Sequence, residues 1–285
     1  GGSGSGAGSV GGSGATDAKF VIDREEVEMG GFVGEGFFGK VYRGRWRGHD
    51  VALKRLKMES VASGAMVDAT RKEVAVLCQL RHPCVLHFYG VTTPPDVLIV
   101  SEFMSGGSLN GLLHNRKDVP MSGALILRLA RDIAQGVAYL HSLDPPIVHR
   151  DVTSSNVLLS SDAAVLATLV DSNVALAKVC DFGLSREVEW YMTQGAGNLF
   201  YLAPEVTRGE HYRESADTFS FGILLWEMVM RRVPYGGVNA QSAAFKVAAE
   251  GLRPPIAALR ARVEADAELP HELTHLVQRC WIETV

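Results

Sequence analysis

Residues 147–159 read IVHRDVTSSNVLL. Asp151 and Asn156 stand five positions apart, preceded by His149 and Arg150 and followed by the apolar pair Leu158 and Leu159. An acid can orient an attacking hydroxyl and take its proton late, while an amide oxygen is a hard ligand for a small divalent cation. Such a cation usually takes only one or two protein groups, so a second acid is needed nearby. Asp181 supplies it, in KVCDFGLSR. Each of these residues alone is most simply a solvated loop side chain. All three in this order point to phosphoryl transfer, a reaction that asks a protein mainly for positioning and charge neutralisation.

A second motif lies upstream. GEGFFGKVYRG places Gly34, Gly36 and Gly39 at the G-x-G-x-x-G spacing, and glycines let backbone N–H groups approach phosphate oxygens. Dinucleotide-binding folds share the spacing, but there the loop opens a helix. Here it runs into KVYRGRW, which is β-branched, aromatic and strand-like, with Phe38 at the tip placed to cover a nucleotide. VALK then ends in Lys54. A lysine on an apolar strand usually points to solvent. However, Glu73 shares the leucine-bearing face of the next expected helix with Leu77 and Leu80, and a buried carboxylate needs a cation. Lys54 is the candidate partner, and a lysine so held could grip the α- and β-phosphates.

Between about residues 21 and 100 the pattern favours strands: FVGEGFFGKVYRG, DVALKRL, VLHFYGV and DVLIVSEF, with the helix TRKEVAVLCQL among them. Beyond residue 105 the helical period takes over. Leu129, Ile133, Val137 and Leu140 trace one stripe before DPP stops the helix, and FSFGILLWEMVM is apolar on every face, as a helix buried inside a helical lobe would be.

With GEGFFGKV, VALK, Glu73, SEFM, HRDVTSSN, DFG, APE and DTFSFGILLWE in this order, the chain resembles the eukaryotic protein kinase family from about residue 20 to 285. SFGILLWE, QRCW and YRGRW are most similar to its tyrosine-kinase-like group. The resemblance implies an α+β, bilobal fold: a flexible Gly/Ser-rich tail over residues 1–18, a small antiparallel-sheet N-lobe with one helix and the hinge over 19–104, and a larger, mainly helical C-lobe over 105–285. It implies transfer of the γ-phosphoryl group of ATP, with Mg²⁺, to serine or threonine and conceivably tyrosine of protein substrates. The alternative is a pseudokinase acting as a nucleotide-binding scaffold. Gly34, Glu35, Gly36, Phe38, Gly39 and Val41 would cover ATP, with Ala52 above the adenine and Leu158 below it. Ser101 would be a small gatekeeper, with Glu102 and Met104 offering hinge backbone hydrogen bonds. Lys54 and Glu73 would pair, Asp151 would be the catalytic aspartate that takes the hydroxyl proton, and Asn156 and Asp181 would hold the metal. Leu77, Phe88, His149 and Phe182 would stack as a spine anchored by Asp217. Arg150 implies control by phosphorylation of the activation loop, with Ser185, Tyr191 and Thr193 as candidate acceptors.

Four features depart from that pattern. Thr153 stands where serine/threonine kinases carry lysine, and Asn198 where they carry threonine. Residues near 163–174 read as an insertion of small apolar residues, expected as a packed excursion or lengthened hairpin. The chain ends at WIETV, ahead of the arginine that in this family pairs with the glutamate of APE, Glu205, so a C-lobe truncated at its C-terminal end is expected, in a piece of a longer chain with flanking domains.

Composition narrows the remaining classes. A formal charge of -4 and a pI near 6.2 leave no basic footprint for nucleic acid or an anionic membrane. Four cysteines without a C-x-x-C pair argue against a disulfide framework, and no apolar run approaches a membrane span, so a cytoplasmic setting is expected. HELTH at residues 271–275 is a literal H-E-x-x-H. A zinc protease would need a third ligand downstream, and only ten residues follow His275.

Overall fold

The computed structural model describes residues 18–36, 39–56, 77–93, 96–181 and 198–282. The chain forms two compact units, Gly1–Arg81 with His87–Phe103, and His82–Leu86 with Met104–Val285.

The first unit is a six-stranded sheet. Its strands are β1 (Val21–Ile22), β2 (Val27–Gly36), β3 (Gly39–Trp46), β4 (His49–Leu56), β5 (Phe88–Thr92) and β6 (Leu98–Glu102), in the spatial order β1-β5-β6-β4-β3-β2. β3 and β4 are joined by Arg47 and Gly48, whose φ angles of 49° and 81° make the two-residue turn that matches strand twist. Side chains alternate across a strand, so the pairing decides which residues share a face. Val51 and Leu53 of β4 point into a core cluster with Ile22, Val27, Leu98 and Val100. The other face carries Ala52 and Lys54, with Val41 opposite Lys54 and Ser101 opposite Ala52. The expected antiparallel sheet is thus found for β2 to β6, but β1 runs parallel to β5 and makes the sheet mixed. Two residues are too few to carry a strand period, so this element left no trace in the sequence pattern. Of the helix expected over TRKEVAVLCQL, residues 70–76 lie outside the described residues.

The second unit holds the two-stranded sheet β7 (Val157–Leu159) and β8 (Ala177–Val179). Its helices are α1 (Gly123–His141), α2 (Ala163–Thr168), α3 (Pro204–Thr207), α4 (Ser215–Met230), α5 (Ala240–Glu250), α6 (Ile256–Glu264) and α7 (Glu272–Cys280). Ser122 caps α1 by accepting the Leu125 N–H, and Leu125, Leu129, Ile133, Val137 and Leu140 are buried along it as the stripe requires. α4 is buried on all sides, and α1, α6 and α7 pack against it. At Gly222 the approach is so close that a Cβ would stand 2.6 Å from the Cys280 Cβ. α7, carrying His271 at its start and an exposed His275, buries Leu273, Val277 and Cys280 on its other face.

The insertion is an excursion in which only Ala163 and Leu166 are buried, held otherwise by hydrogen bonds. Asp162 caps α2 by accepting the Ala164 and Val165 N–H groups. The chain then returns along α1, where one guanidinium gathers it in: Arg128 donates to the carbonyls of Val170 (2.9 Å), Ser172 (2.5 Å) and Val174 (2.5 Å). Arg128 is itself held by Asp132 at 3.0 Å, whose other oxygen accepts the Leu176 N–H at 2.6 Å and the Ala177 N–H at 3.3 Å. Removing one partner of a buried pair leaves the other uncompensated. Asp132→Ala should therefore lower the unfolding free energy by roughly 3–5 kcal/mol, measured by urea denaturation followed by tryptophan fluorescence. A loss below about 1 kcal/mol would show that the clamp does not support the fold.

Candidate active site

A carboxylate at the start of α4 sets the geometry. Asp217 is fully buried, and its Oδ2 accepts the His149 N–H and its Oδ1 the Arg150 N–H, each at 2.7 Å. His141, from the last turn of α1, places its Nε2 2.7 Å from the same Oδ2. Two successive N–H groups reach one carboxylate because Arg150 takes a left-handed φ of 70°, unusual for a residue with a Cβ. His149 accepts the Asp151 N–H through its Nδ1 at 3.3 Å, and burial holds the imidazole below its ordinary pKa, so the ring is neutral.

Asp151 follows directly. The Asn156 amide donates both to the Asp151 carbonyl at 2.9 Å and to its Oδ2 at 2.5 Å. Both amide hydrogens are thereby engaged and Asn156 Oδ1 is turned to the other side. Burial pushes the Asp151 carboxyl up to about 7; the Asn156 bond opposes the shift, and the Asp181 and Asp217 charges add to it. Asp181 is brought alongside by β8, because the next residue back, Cys180, donates its N–H to the Asn156 carbonyl at 2.9 Å. Asp181 also has a left-handed φ, 59°. The three residues that the sequence selects on chemical grounds thus converge in the second unit. Thr153 is buried among them, its carbonyl accepting the Asn156 N–H at 3.1 Å, and its hydroxyl has no hydrogen-bond partner among the described residues.

A second buried acid was not singled out from the sequence. Glu227 on α4, 1% exposed, accepts the Ser154 hydroxyl at 3.1 Å and the Tyr201 hydroxyl at 2.7 Å, and lies 2.7 Å from His114 Nε2. Burial and the Glu227 charge push the Tyr201 phenol well above its ordinary range, so it keeps its proton as a donor. The available signal was the acid itself: a glutamate inside FSFGILLWEMVM must bring hydrogen-bond partners with it.

In the first unit, Gly34, Glu35 and Gly36 on β2 face Val41, Lys40 and Gly39 on β3, so the glycine motif is a strand pair and not the start of a helix. Val41, Ala52, Lys54 and Ser101 share the sheet face opposite the core cluster. Glu102 ends β6, its Oε1 accepting the His87 N–H at 2.7 Å. Leu77 and Phe88 are buried in this unit; His149 and Met104 are buried in the second, where Leu158 is half-buried on β7. Phe38, Glu73, Phe182, Ser185, Tyr191 and Thr193 lie outside the described residues, as does the Asn198 side chain.

The profile of a family described as protein tyrosine and serine/threonine kinase matches residues 27–285. Serine/threonine-protein kinase TNNI3K of Mus musculus is 38% identical over 93% of this chain, and mitogen-activated protein kinase kinase kinase 7 of Bos taurus is 35% identical over 91% of it. Both are members of the tyrosine-kinase-like group. A probable serine/threonine-protein kinase of Dictyostelium discoideum is 37% identical over 91%. The chain spans 30%, 41% and 26% of the length of these three relatives, respectively. It belongs to the protein tyrosine and serine/threonine kinase family and has that family's α+β bilobal fold. The family implies ATP as a substrate, typically with Mg²⁺.

Removing Asp217 should be costly. Asp217→Ala leaves two backbone N–H groups buried without their acceptor, and should destabilise the unit by about 3 kcal/mol or more. Backbone amide hydrogen exchange would check where: residues 149–151 should lose protection beyond the global change. Unchanged protection there would show that the loop holds itself.

Proposed function

We propose that this chain transfers the γ-phosphoryl group of ATP to a serine or threonine hydroxyl of a protein substrate. The observation that carries the reading is the cluster of Asp151, Asn156 and Asp181, with the Asn156 amide fixed on Asp151 and Asp181 delivered beside it. The acceptor hydroxyl oxygen bonds to the γ-phosphorus, the bond to the bridging oxygen breaks, ADP leaves, and the proton goes to Asp151. Asn156 Oδ1 and the Asp181 carboxylate are hard oxygen donors of the kind that suits Mg²⁺. Mg²⁺ held there would neutralise phosphate charge during transfer. The Asn156 bond keeps the Asp151 carboxylate aimed, a positioning role that needs no charge.

The sheet face of Val41, Ala52, Lys54 and Ser101 is read as the nucleotide face, with Gly34 to Gly39 over the phosphates and Lys54 paired to Glu73. The hinge acceptors and donors would come from Glu102 and Met104, and Leu158 would meet the adenine. Thr153 supplies no cation to the γ-phosphate, so charge neutralisation falls to Lys54 and the metal. Arg150 is the cation proposed to receive a phosphate on Ser185, Tyr191 or Thr193 and so to couple activity to activation-loop phosphorylation. The lobe boundaries near residue 104, the cytoplasmic setting and the flanking domains belong to the same reading. Among the described residues no helix is long and apolar enough to cross a membrane.

Phosphate incorporation from labelled ATP into a mixed peptide library tests the proposal. Asp151→Asn should reduce incorporation at least about 100-fold at matched concentration, with label on serine and threonine. Equal incorporation by the two proteins would remove Asp151 from the mechanism. A wild-type chain that binds ATP yet transfers nothing would instead be a nucleotide-binding scaffold.

A further inference from the structure

Against the outer side of α1, within the second unit, lies a cavity of about 570 Å³ that the phosphoryl-transfer reading does not use. Its walls are the segment at residues 82–84, the α1 face from Arg128 to Ser142, and the inserted strap at 172–175. A volume of this size is in the range of small-molecule sites.

Several polar groups around it can donate. Gln135 accepts the Cys84 S–H through its Oε1 at 3.8 Å, which leaves its amide N–H groups to the cavity. His82 accepts the Cys84 N–H at Nδ1, 3.1 Å, and burial keeps the ring neutral, so its proton sits on Nε2. Arg131 is exposed on the rim, and no hydrogen bond or ion pair engages it among the described residues. The one acid in the wall, Asp132, is already spent on Arg128 and the Leu176 and Ala177 N–H groups. Burial, and next the Asp132 carboxylate, push the Cys84 thiol in the wall up to about 11, against the smaller opposing effects of Arg128, Lys178 and Arg131. The cavity therefore has donors in its wall and, on its rim, a cation that no acid neutralises among the described residues. It also has a flat element: the His82 and Tyr139 rings stack with centroids 4.8 Å apart and planes 16° from parallel.

We propose that this cavity is a binding site for a small, flat, carboxylate-bearing ligand, held by Arg131, walled by the strap at 172–175 and laid beside the His82–Tyr139 pair. The strap comes from the insertion, so the site is particular to chains that carry it. It continues through Leu176 into β8, the strand that delivers Asp181, so a ligand here would touch the segment that sets one of the candidate metal ligands.

Benzoate is the probe, titrated by calorimetry with the nucleotide site saturated by a non-hydrolysable ATP analogue. Benzamide, its neutral counterpart, and benzamidine, its cationic one, serve as comparisons. Benzoate should bind once per chain, with both comparisons at least about tenfold weaker. Arg131→Gln should weaken benzoate and Arg131→Glu should weaken it further, at least about tenfold. Because Arg131 is exposed, both variants should keep the wild-type melting temperature. Benzoate affinity untouched by Arg131→Glu, benzamidine binding as tightly as benzoate, or no benzoate binding at all would each overturn the proposal. None of these outcomes depends on phosphoryl transfer, so this site and the proposed activity can fail separately.

Discussion

The buried carboxylate of Asp217 is the interaction on which the candidate site depends. An isolated ionised acid in a protein interior is expensive, and Asp217 escapes that cost because the chain brings it two backbone N–H groups and a histidine. The same bonds fix the direction of the loop carrying Asp151. Ten residues further along α4, about 15 Å at the helical rise, Glu227 repeats the arrangement with side-chain donors, among them Ser154. Two acids on one helix thus hold the two ends of residues 149–154. A helix buried on every face serves as the template for the loop, and its polar exceptions do the holding.

Some of the backbone strain falls on the same loop. Arg150 and Asp181, neither of them glycine, both occupy the left-handed region at a cost of order 1–2 kcal/mol each. Each is locked by neighbouring bonds, the first by the Asp217 acceptors and the second by the Cys180 N–H to Asn156. The arrangement is therefore bought with stability elsewhere, chiefly the apolar burial of α1 and α4.

Much of this was readable in the sequence because the signals are local. Asp151, Asn156 and Asp181 follow one another closely enough for their residue types and order to suggest a chemistry, and β3, β4 and β6 stand out as β-branched, aromatic or apolar runs. What stayed hidden depends on distant or residue-blind contacts. Glu227 meets His114, Ser154 and Tyr201 from three separate segments, and no spacing records that. Arg128 binds carbonyls, which every residue possesses, so the strap's own sequence carries no mark of the clamp. The excursion could be expected to pack from its small apolar residues, but the helix α2 and the guanidinium that gathers the return could not. Asp217 is an intermediate case: the resemblance implies an anchor, while its partner His141 is evident only in the fold.

The pairing of β4 with β3 and β6 has a consequence for how this chain can change over time. Leu53 and Lys54 are neighbours in sequence but belong to opposite faces, one in the core cluster and one beside Val41. Inserting or deleting a single residue in β4 would exchange them, sending the lysine inward and the leucine outward. Substitutions can erode the core face or the glycine-strand face independently, but a shift in frame within this strand damages both at once. Length variation is consequently expected to accumulate where backbone direction is set by side-chain clamps, as at the strap held by Arg128, and to be purged from β4.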